Sequence, residues 1–493
     1  MGGIILKQTL LQKLLSGIFL FWCAFLALLN LWGLVTDARQ SAGIWVLAVG
    51  GSLLACALVI GLSLLYAKLP RAWMQAAAVF LTVLCILRLA IRLFAPEQFS
   101  DFQTFYWATS DWMRRKEIFS SNYYFQIWSY QLGFPWLMSL ICRLFPVYSV
   151  DLCLWIGAVC SAGNAVLLWH MGKKLTDGRG GCFAALTYCI LTCTVSLSTV
   201  VTNQNLSMLF VLAGLDLLMT DETDIRRALG AGLLLALGNL ARSDVIIYPA
   251  ALLAAALVCI RPGELRLPKS RSRRVLLSCL SCAALYFLAG KGLDAAFRTV
   301  NPGGIGNHFP LYKFAVGLCQ ETQGRYSPRL AELLFSNPDC IADPALRDEM
   351  TKKIISESLS VGPGKLLSLM LQKCRSLWCA EGCDFEMCHS FTPDRGLSLG
   401  FVSFSGYTVS NALRHYDMLL RTGLFGLGAV SAHRQLRSGS SFTECIAMPA
   451  ILAFSAISLV IEVQYRYSFV VMPMFCLLAG SELQKLSKKE AKS

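Results

Sequence analysis

Apolar residues along this chain come in blocks of about 20, separated by short polar or charged connectors. A block of that length matches the roughly 20 helical residues that cross a bilayer core. Such runs occupy 14–35, 45–66, 73–95, 149–171, 181–199, 204–220, 227–241, 244–260, 275–291, 414–430, 444–461 and 466–483. The pattern predicts an all-α polytopic membrane protein with about 12 transmembrane helices, in a range of 11–13. The first run follows Lys7 and Lys13 and resembles the start of a signal peptide. It is too long for a signal h-region, lacks a clear small-residue cleavage site and is followed by further spans, so it reads as a retained first helix. The stretch Phe134 to Pro146 is only about 13 residues long and contains Arg143. It reads as a short re-entrant or interfacial helix rather than a span.

Composition strengthens this picture. Hydrophobic residues make up 55% of the 493 and charged ones 15%, whereas soluble domains run near 25% charged. That excludes a soluble enzyme, a disordered chain and a secreted disulfide module. The net charge of +14 is accounted for by topology. With the N-terminus inside, the inner connectors hold Lys68 and Arg71; Lys173, Lys174 and Arg179; Arg226 and Arg227; the basic stretch from Arg261 to Arg274; and Arg434 with Arg437. The tail adds Lys485, Lys488, Lys489 and Lys492. Positive charge of this kind marks cytoplasmic loops. The expectation is a multi-pass protein of the cell membrane with both termini cytoplasmic, a lipid bilayer as partner, and no nucleic acid.

Five units follow. Residues 1–95 hold three N-terminal spans and 96–148 a first outer loop with juxtamembrane helices. Residues 149–291 hold six spans, 292–413 a small α-rich extracytoplasmic subdomain, and 414–493 three C-terminal spans with the basic tail. Both outer segments are too long to be mere connectors. Six of the 20 cysteines fall in the second: Cys319, Cys340, Cys374, Cys379, Cys383 and Cys388. Structural disulfides and free thiols both fit that set. A metal site at Cys379, Cys383, Cys388 and His389 fits less well, because the spacing lacks the C-x2-C signature.

The first outer segment carries the candidate chemistry. It reads Ser100-Asp101-Phe102-Gln103-Thr104-Phe105-Tyr106-Trp107, with Asp111 further on, and then a second aromatic stretch through Pro135. Interfacial aromatics alone would be an ordinary membrane belt. An Asp soon after a span is a different signal: Asp101 either caps the next helix or places a carboxylate between headgroups and water. Asp111 lies about three helical turns on, beside Arg114, Arg115 and Lys116, where a surface ion pair competes with a groove role.

The order of features resembles the GT-C superfamily of integral-membrane glycosyltransferases. The resemblance is closest to the protein O-mannosyltransferase-like branch that includes the lipid A aminoarabinose transferases. It rests on Asp101 at the start of the first outer loop, on Tyr106, and on Tyr130-Gln131-Leu132-Gly133-Phe134-Pro135. It continues with the Gly-containing helix that ends in Arg242 and with Glu462-Val463-Gln464-Tyr465-Arg466-Tyr467 followed by Pro473. The chain departs from the pattern in two places. Three spans precede the outer loop where many relatives have one. The outer turn that often carries a second acid reads Thr202-Asn203-Gln204-Asn205, and an amide cannot act as a base.

The resemblance implies a polyprenyl-phosphate-linked sugar donor. It also implies an acceptor glycan, lipid or protein, and inverting transfer with Asp101 as the general base. Such a reaction needs cations at the leaving phosphate, and the candidates are Arg242, His308, Lys313, Arg325 and Arg466. Tyr106, Asp111, Tyr130, Gln131 and Glu462 are candidates for the donor and acceptor groove. Four of these cations also have a plainer reading. Arg466 can pair with Glu462 four residues earlier, Arg242 can pair with Asp244, and His308 and Lys313 can be solvated loop residues. These residues single out no particular cofactor, and a divalent metal ion is an open candidate. Two other classes compete, a transporter or lipid flippase and a non-catalytic envelope-assembly scaffold. Against the transporter, ionisable residues gather at span ends and no repeated halves are visible.

Overall fold

The computed structural model describes residues 9–36, 41–114, 123–176, 178–260, 264, 267, 270–299, 301, 303–379, 396–399 and 402–490. Cys383, Cys388 and His389 of the suggested metal site lie outside these residues, as do Arg115 and Lys116 and half of the basic stretch 261–274.

Every apolar run found in the sequence coincides with helix. The chain opens with α1 (Leu10–Thr36), α2 (Ala42–Ala67) and α3 (Ala72–Phe94). Next come α4 (Ser100–Met113), α5 (Tyr123–Ile127) and the ten-residue α6 (Gly133–Cys142). At 1.5 Å per residue α6 is about 15 Å long, half a bilayer core, as its short apolar stretch predicts. Then follow α7 (Val150–Leu175), α8 (Gly178–Ile190), α9 (Thr192–Leu197), α10 (Gln204–Thr220), α11 (Ile225–Ala241), α12 (Ile247–Cys259) and α13 (Arg271–Arg298).

After these come five shorter helices: α14 (Tyr312–Gly317), α15 (Pro328–Ala331), α16 (Pro338–Ala342), α17 (Pro344–Leu359) and α18 (Pro363–Trp378). α14, α15 and α17 share a small apolar core with Ile127 and Trp128 around Tyr312, Val316, Leu334 and Phe335, while α18 packs its Cys374, Leu377 and Trp378 into the main core. An antiparallel pair, β1 (Leu397–Leu399) and β2 (Val402–Phe404), leads into the last helices: α19 (Gly406–Ser438), α20 (Phe442–Val460) and α21 (Met472–Glu490).

Among the described residues six helices are long and apolar enough to cross a membrane: α1, α2, α3, α7, α13 and α20. The other expected runs form helices that are shorter or more charged. The physical reasons are local. The run 181–199 breaks at Leu191, between α8 and α9. The run 244–260 begins as a 3-10 turn, Ser243–Ile246. The run 466–483 is divided because Tyr465–Val470 forms a 3-10 helix and Pro473 sits in the first turn of α21. Proline is tolerated there but would remove a hydrogen bond deeper in a helix.

Sequence explains the helix starts. Ser149 accepts a hydrogen bond from the Leu152 amide ahead of α7, and Ser441 and Glu444 form a capping box ahead of α20. Small residues then let helices approach. A Cβ at Gly172 on α7 would lie 2.7 Å from the Gly181 Cα on α8, so only glycine permits that contact. The helices α1 to α3 turn large apolar side chains outward, among them Phe21, Leu53 and Trp73, as a lipid environment requires. Cys319, Cys340 and Cys374 of the 292–413 segment are free thiols in this structure.

Candidate active site

The segments between these helices converge on one cavity of about 440 Å³. It is lined from five directions: the start of α4, the 3-10 turn Ser129–Gln131, the Thr202–Gln204 turn, the α11–α12 junction, and the stretch from α20 through Tyr467, with α14 closing over it. The lining is two-sided. Asp101, Gln131, Asn203, Arg242, Asp244, Lys313, Glu462 and Arg466 make a polar side. Ile246, Ile247, Phe314, Phe454, Ile457 and Ile461 make an apolar one.

Asp101 lies in the first turn of α4 and does not cap it. The capping position is Phe99, and Ser100 between them has a φ of 46°, in the left-handed region that non-glycine residues seldom occupy. That backbone turns the helix start so that the Asp101 carboxylate accepts from the Arg466 guanidinium at 2.9 Å. Arg466 sits in the 3-10 helix after α20 and also donates to Gln464 at 2.8 Å. Its charge lies 5.0 Å from the centre of the Phe102 ring. The pairing of Arg466 with Glu462 expected from their spacing does not form, because the chain after α20 is extended rather than helical there. Glu462 pairs instead with Lys313.

That second pair is tightly built. Burial acts to raise the Glu462 carboxyl, but the Lys313 ammonium and the Gln464 amide outweigh it and hold the group below the usual carboxylate range. Burial acts to lower Lys313, and Glu462 with Tyr467 and Tyr130 outweighs it, so its ammonium is held well above the ordinary value. Lys313 also faces the Trp128 ring at 4.5 Å. Burial, with Glu462 adding to it and the nearby cations opposing it, pushes the Tyr130 phenol up and takes Tyr467 to about 12, so both are hydrogen-bond donors at neutral pH.

Arg242, just past the end of α11, donates to Asp244 at 2.5 Å and to Asn203 at 3.3 Å. Here the salt bridge suspected from the sequence and the cavity position are both present. Asn203 in turn donates to Gln131 at 2.9 Å. Gln204 donates to the Arg466 carbonyl at 3.1 Å.

Of the residues singled out in the sequence, seven line the cavity together: Asp101, Tyr130, Gln131, Arg242, Lys313, Glu462 and Arg466. Four do not line it. Tyr106 stacks on Tyr148 at 5.0 Å and gives its carbonyl to the Tyr148 hydroxyl. Asp111 is half-buried further along α4. His308 packs beside Phe309, next to the lining residue Asn307. Arg325 donates to Gln323 on the surface. Their sequence positions were close to those of cavity residues, but helix phase and loop course carry them away. Arg88 also has a partner, Asp151, at 2.9 Å.

Sequence reasoning missed Asn203, Gln204 and Asp244 as cavity groups. The Thr202–Asn205 turn looked like the loss of an acid. A signal was present: four consecutive hydrogen-bonding residues open an apolar helix, and they are buried.

The cavity's carboxylates do not make a divalent-metal site. Asp101, Asp244 and Glu462 each already face an Arg or Lys, and among the described residues no group of three His, Cys, Asp or Glu could hold an ion.

Residues 131–288 match the family described as dolichyl-phosphate-mannose-protein mannosyltransferase. That match is a similarity over about a third of the chain, and the polytopic helical fold around it is compatible with a membrane protein of that kind. The matched segment holds the Thr202–Asn205 turn and the α11–α12 junction with Arg242 and Asp244. No curated protein matches the chain. The chain is similar in structure to the oligosaccharyltransferase of Archaeoglobus fulgidus. Against the archaeal enzyme AglB in complex with an inhibitory peptide and a dolichol-phosphate it is 13% identical with a TM-score of 0.47, covering 83% of this chain and 50% of that one. Against the oligosaccharyltransferase complex with Zn and sulfate it is 15% identical with a TM-score of 0.49, covering 84% and 50%. The chain spans about half the length of those proteins.

Proposed function

We propose that this protein is a membrane glycosyltransferase that moves a sugar from a polyprenyl-phosphate carrier to an acceptor hydroxyl on the extracytoplasmic face of the cell membrane. The family match supports the donor class, since the description of that family names a dolichyl-phosphate sugar. The observation that carries the reading is the Asp101–Arg466 pair on the wall of a cavity that also receives Arg242 and Lys313. A candidate base and three cations share one space with an apolar wall that suits an isoprenoid.

The chemistry follows from charge. Asp101 takes the proton of the acceptor hydroxyl as its oxygen bonds to the anomeric carbon. The bond from that carbon to the phosphate oxygen breaks, and the electron pair leaves with the polyprenyl phosphate. A single displacement of this kind inverts the anomeric centre. Arg466, Arg242 and Lys313 stabilise the negative charge that develops on the leaving group. An arginine offers the phosphate a two-pronged donor. Arg466 has a double part, because a phosphate that engages it draws it from Asp101 and releases the carboxylate to act as base.

The experiment is transfer by purified protein in lipid nanodiscs, supplied with a panel of polyprenyl-phosphate sugars and membrane extract as acceptor. Transfer by the wild type and its loss in Asp101→Asn is the expected result. Wild-type protein that transfers from no lipid-linked donor sinks the enzyme reading, and an active Asp101→Asn sinks the base.

A further inference from the structure

Arg466 stands on a six-residue 3-10 turn, Tyr465–Val470, between two helices. Such a turn has poor internal hydrogen bonding, so something outside it must hold the guanidinium in place. The structure supplies that hold from α19. Asp417 and Arg421 lie one helical turn apart on α19, both fully buried, with the Arg421 Nε 2.8 Å from the Asp417 carboxylate. Neither lines the cavity. Asp417 accepts a hydrogen bond from Thr192 at 2.5 Å and another from the Tyr465 hydroxyl. Arg421 Nη1 donates to the Ser468 hydroxyl at 2.9 Å, and its charge sits 4.2 Å from the centre of the Tyr465 ring. The two gripped residues, Tyr465 and Ser468, bracket Arg466 and Tyr467.

A fully buried ion pair is a poor stabiliser compared with apolar residues of the same size, and its better-attested use is to fix one arrangement among several. Here the arrangement it fixes is the turn. Both charges point at the residues flanking Arg466, and the charged hydrogen bonds they make are stronger and more directional than neutral ones.

We infer that Asp417 and Arg421 form a clamp that sets the position of the Arg466 guanidinium, making them positioning residues for lipid-phosphate recognition. This rests on the reading of Arg466 as a phosphate ligand. Asp417 and Arg421 touch no substrate. They act through Tyr465 and Ser468.

The test releases the clamp without emptying it. Tyr465→Phe removes one hydroxyl while Asp417 keeps Arg421 and Thr192. Ser468→Ala removes the other, and Ser468→Thr retains it. The full chain in detergent is titrated with a long-chain polyprenyl monophosphate, with the corresponding alcohol as control, and its melting temperature is recorded. The clamp predicts that Tyr465→Phe and Ser468→Ala each weaken phosphate binding about tenfold. It also predicts that alcohol binding and melting temperature stay put and that Ser468→Thr restores affinity. Wild-type affinity in both hydroxyl-less variants overturns the clamp. So does a loss of affinity that tracks a falling melting temperature, since that is a structural effect. Arg466→Ala separates the two levels. If it binds the phosphate as tightly as wild type, the phosphate reading fails. If it weakens binding while the clamp variants do not, only the clamp fails.

Discussion

Arg466 donates to Asp101 at 2.9 Å across 365 residues of sequence. The pair joins the start of α4 to the turn after α20 and places the proposed base in contact with the proposed phosphate ligand. In Asp101→Asn the guanidinium loses its anionic partner. Turnover is expected to fall about 10²–10⁴-fold, the span typical of a lost general base. Affinity for polyprenyl phosphate should hold or rise, because no carboxylate competes for Arg466. Parallel titration and turnover measurements check this. A variant that loses binding and turnover together would show Asp101 to be a structural anchor instead.

The Lys313–Glu462 pair makes the protein acid-sensitive. Glu462 titrates below the ordinary 4.5, so its contribution to stability is present at neutral pH and is lost as pH falls through 4.5 toward its folded value. Glu462→Gln leaves the Lys313 ammonium without its carboxylate partner and is expected to lose a few kcal/mol. Melting temperature followed from pH 7 downward should drop in the wild type below about 4.5. It should start lower and stay flatter in the variant. A steep acid limb retained in Glu462→Gln would assign that limb to other carboxylates.

Much of this was legible in the chain. The apolar runs located the helices because a bilayer leaves the backbone few alternatives. Asp101, Arg242 and Arg466 were legible because a charge at the end of an apolar run needs a reason. Partners were less legible. Spacing pointed Arg466 to Glu462, but that rule holds only where the helix continues, and α20 ends at Val460. Tyr106 and Asp101 are five residues apart, which on a helix turns one toward the cavity and the other toward Tyr148. Asp417 and Arg421 are not legible as a clamp because the role of a buried pair is defined by what crosses it from other elements, and that is tertiary information.

Lys373 gives a second pH signature, of opposite sense. Its buried ammonium donates to the carbonyls of Gly317, Leu459 and Ile461 at 2.7–2.8 Å, tying α18 to α14 and to the end of α20. Burial pushes its pKa down to about 7, while Cys374 and Glu462 nearby act to raise it. A folded value below the unfolded 10.5 means that the unfolded chain binds more protons in between, so stability rises with pH from about 7 to 10.5. Lys373→Met should be less stable throughout and should lack that rise. Denaturant melts at intervals across the window measure it. An unchanged slope in Lys373→Met would place the effect on another group.

The contact of α14 with the chain end of α20 leaves no space for a side chain at Gly317. A Cβ there would lie 2.3 Å from the Ile461 carbonyl carbon and 2.5 Å from the Val460 oxygen, both backbone atoms that cannot swing aside. Gly317→Ala must therefore push α14 off residues 460–461. The Glu462 amide donates to the Lys313 carbonyl at 2.9 Å, so this shift parts the two strands of chain that carry the Lys313–Glu462 pair. Helix content should survive, because the membrane helices are untouched, while donor binding and turnover fall. Gly364→Ala on α18 is the control. Nothing lies within 4 Å of its Cβ, and alanine is favoured over glycine in a helix by about 1 kcal/mol. Circular dichroism and phosphate titration of both variants decide the matter. Wild-type affinity in Gly317→Ala would mean that α14 can retreat without disturbing the cavity, and Lys313 would then lose its place among the phosphate ligands.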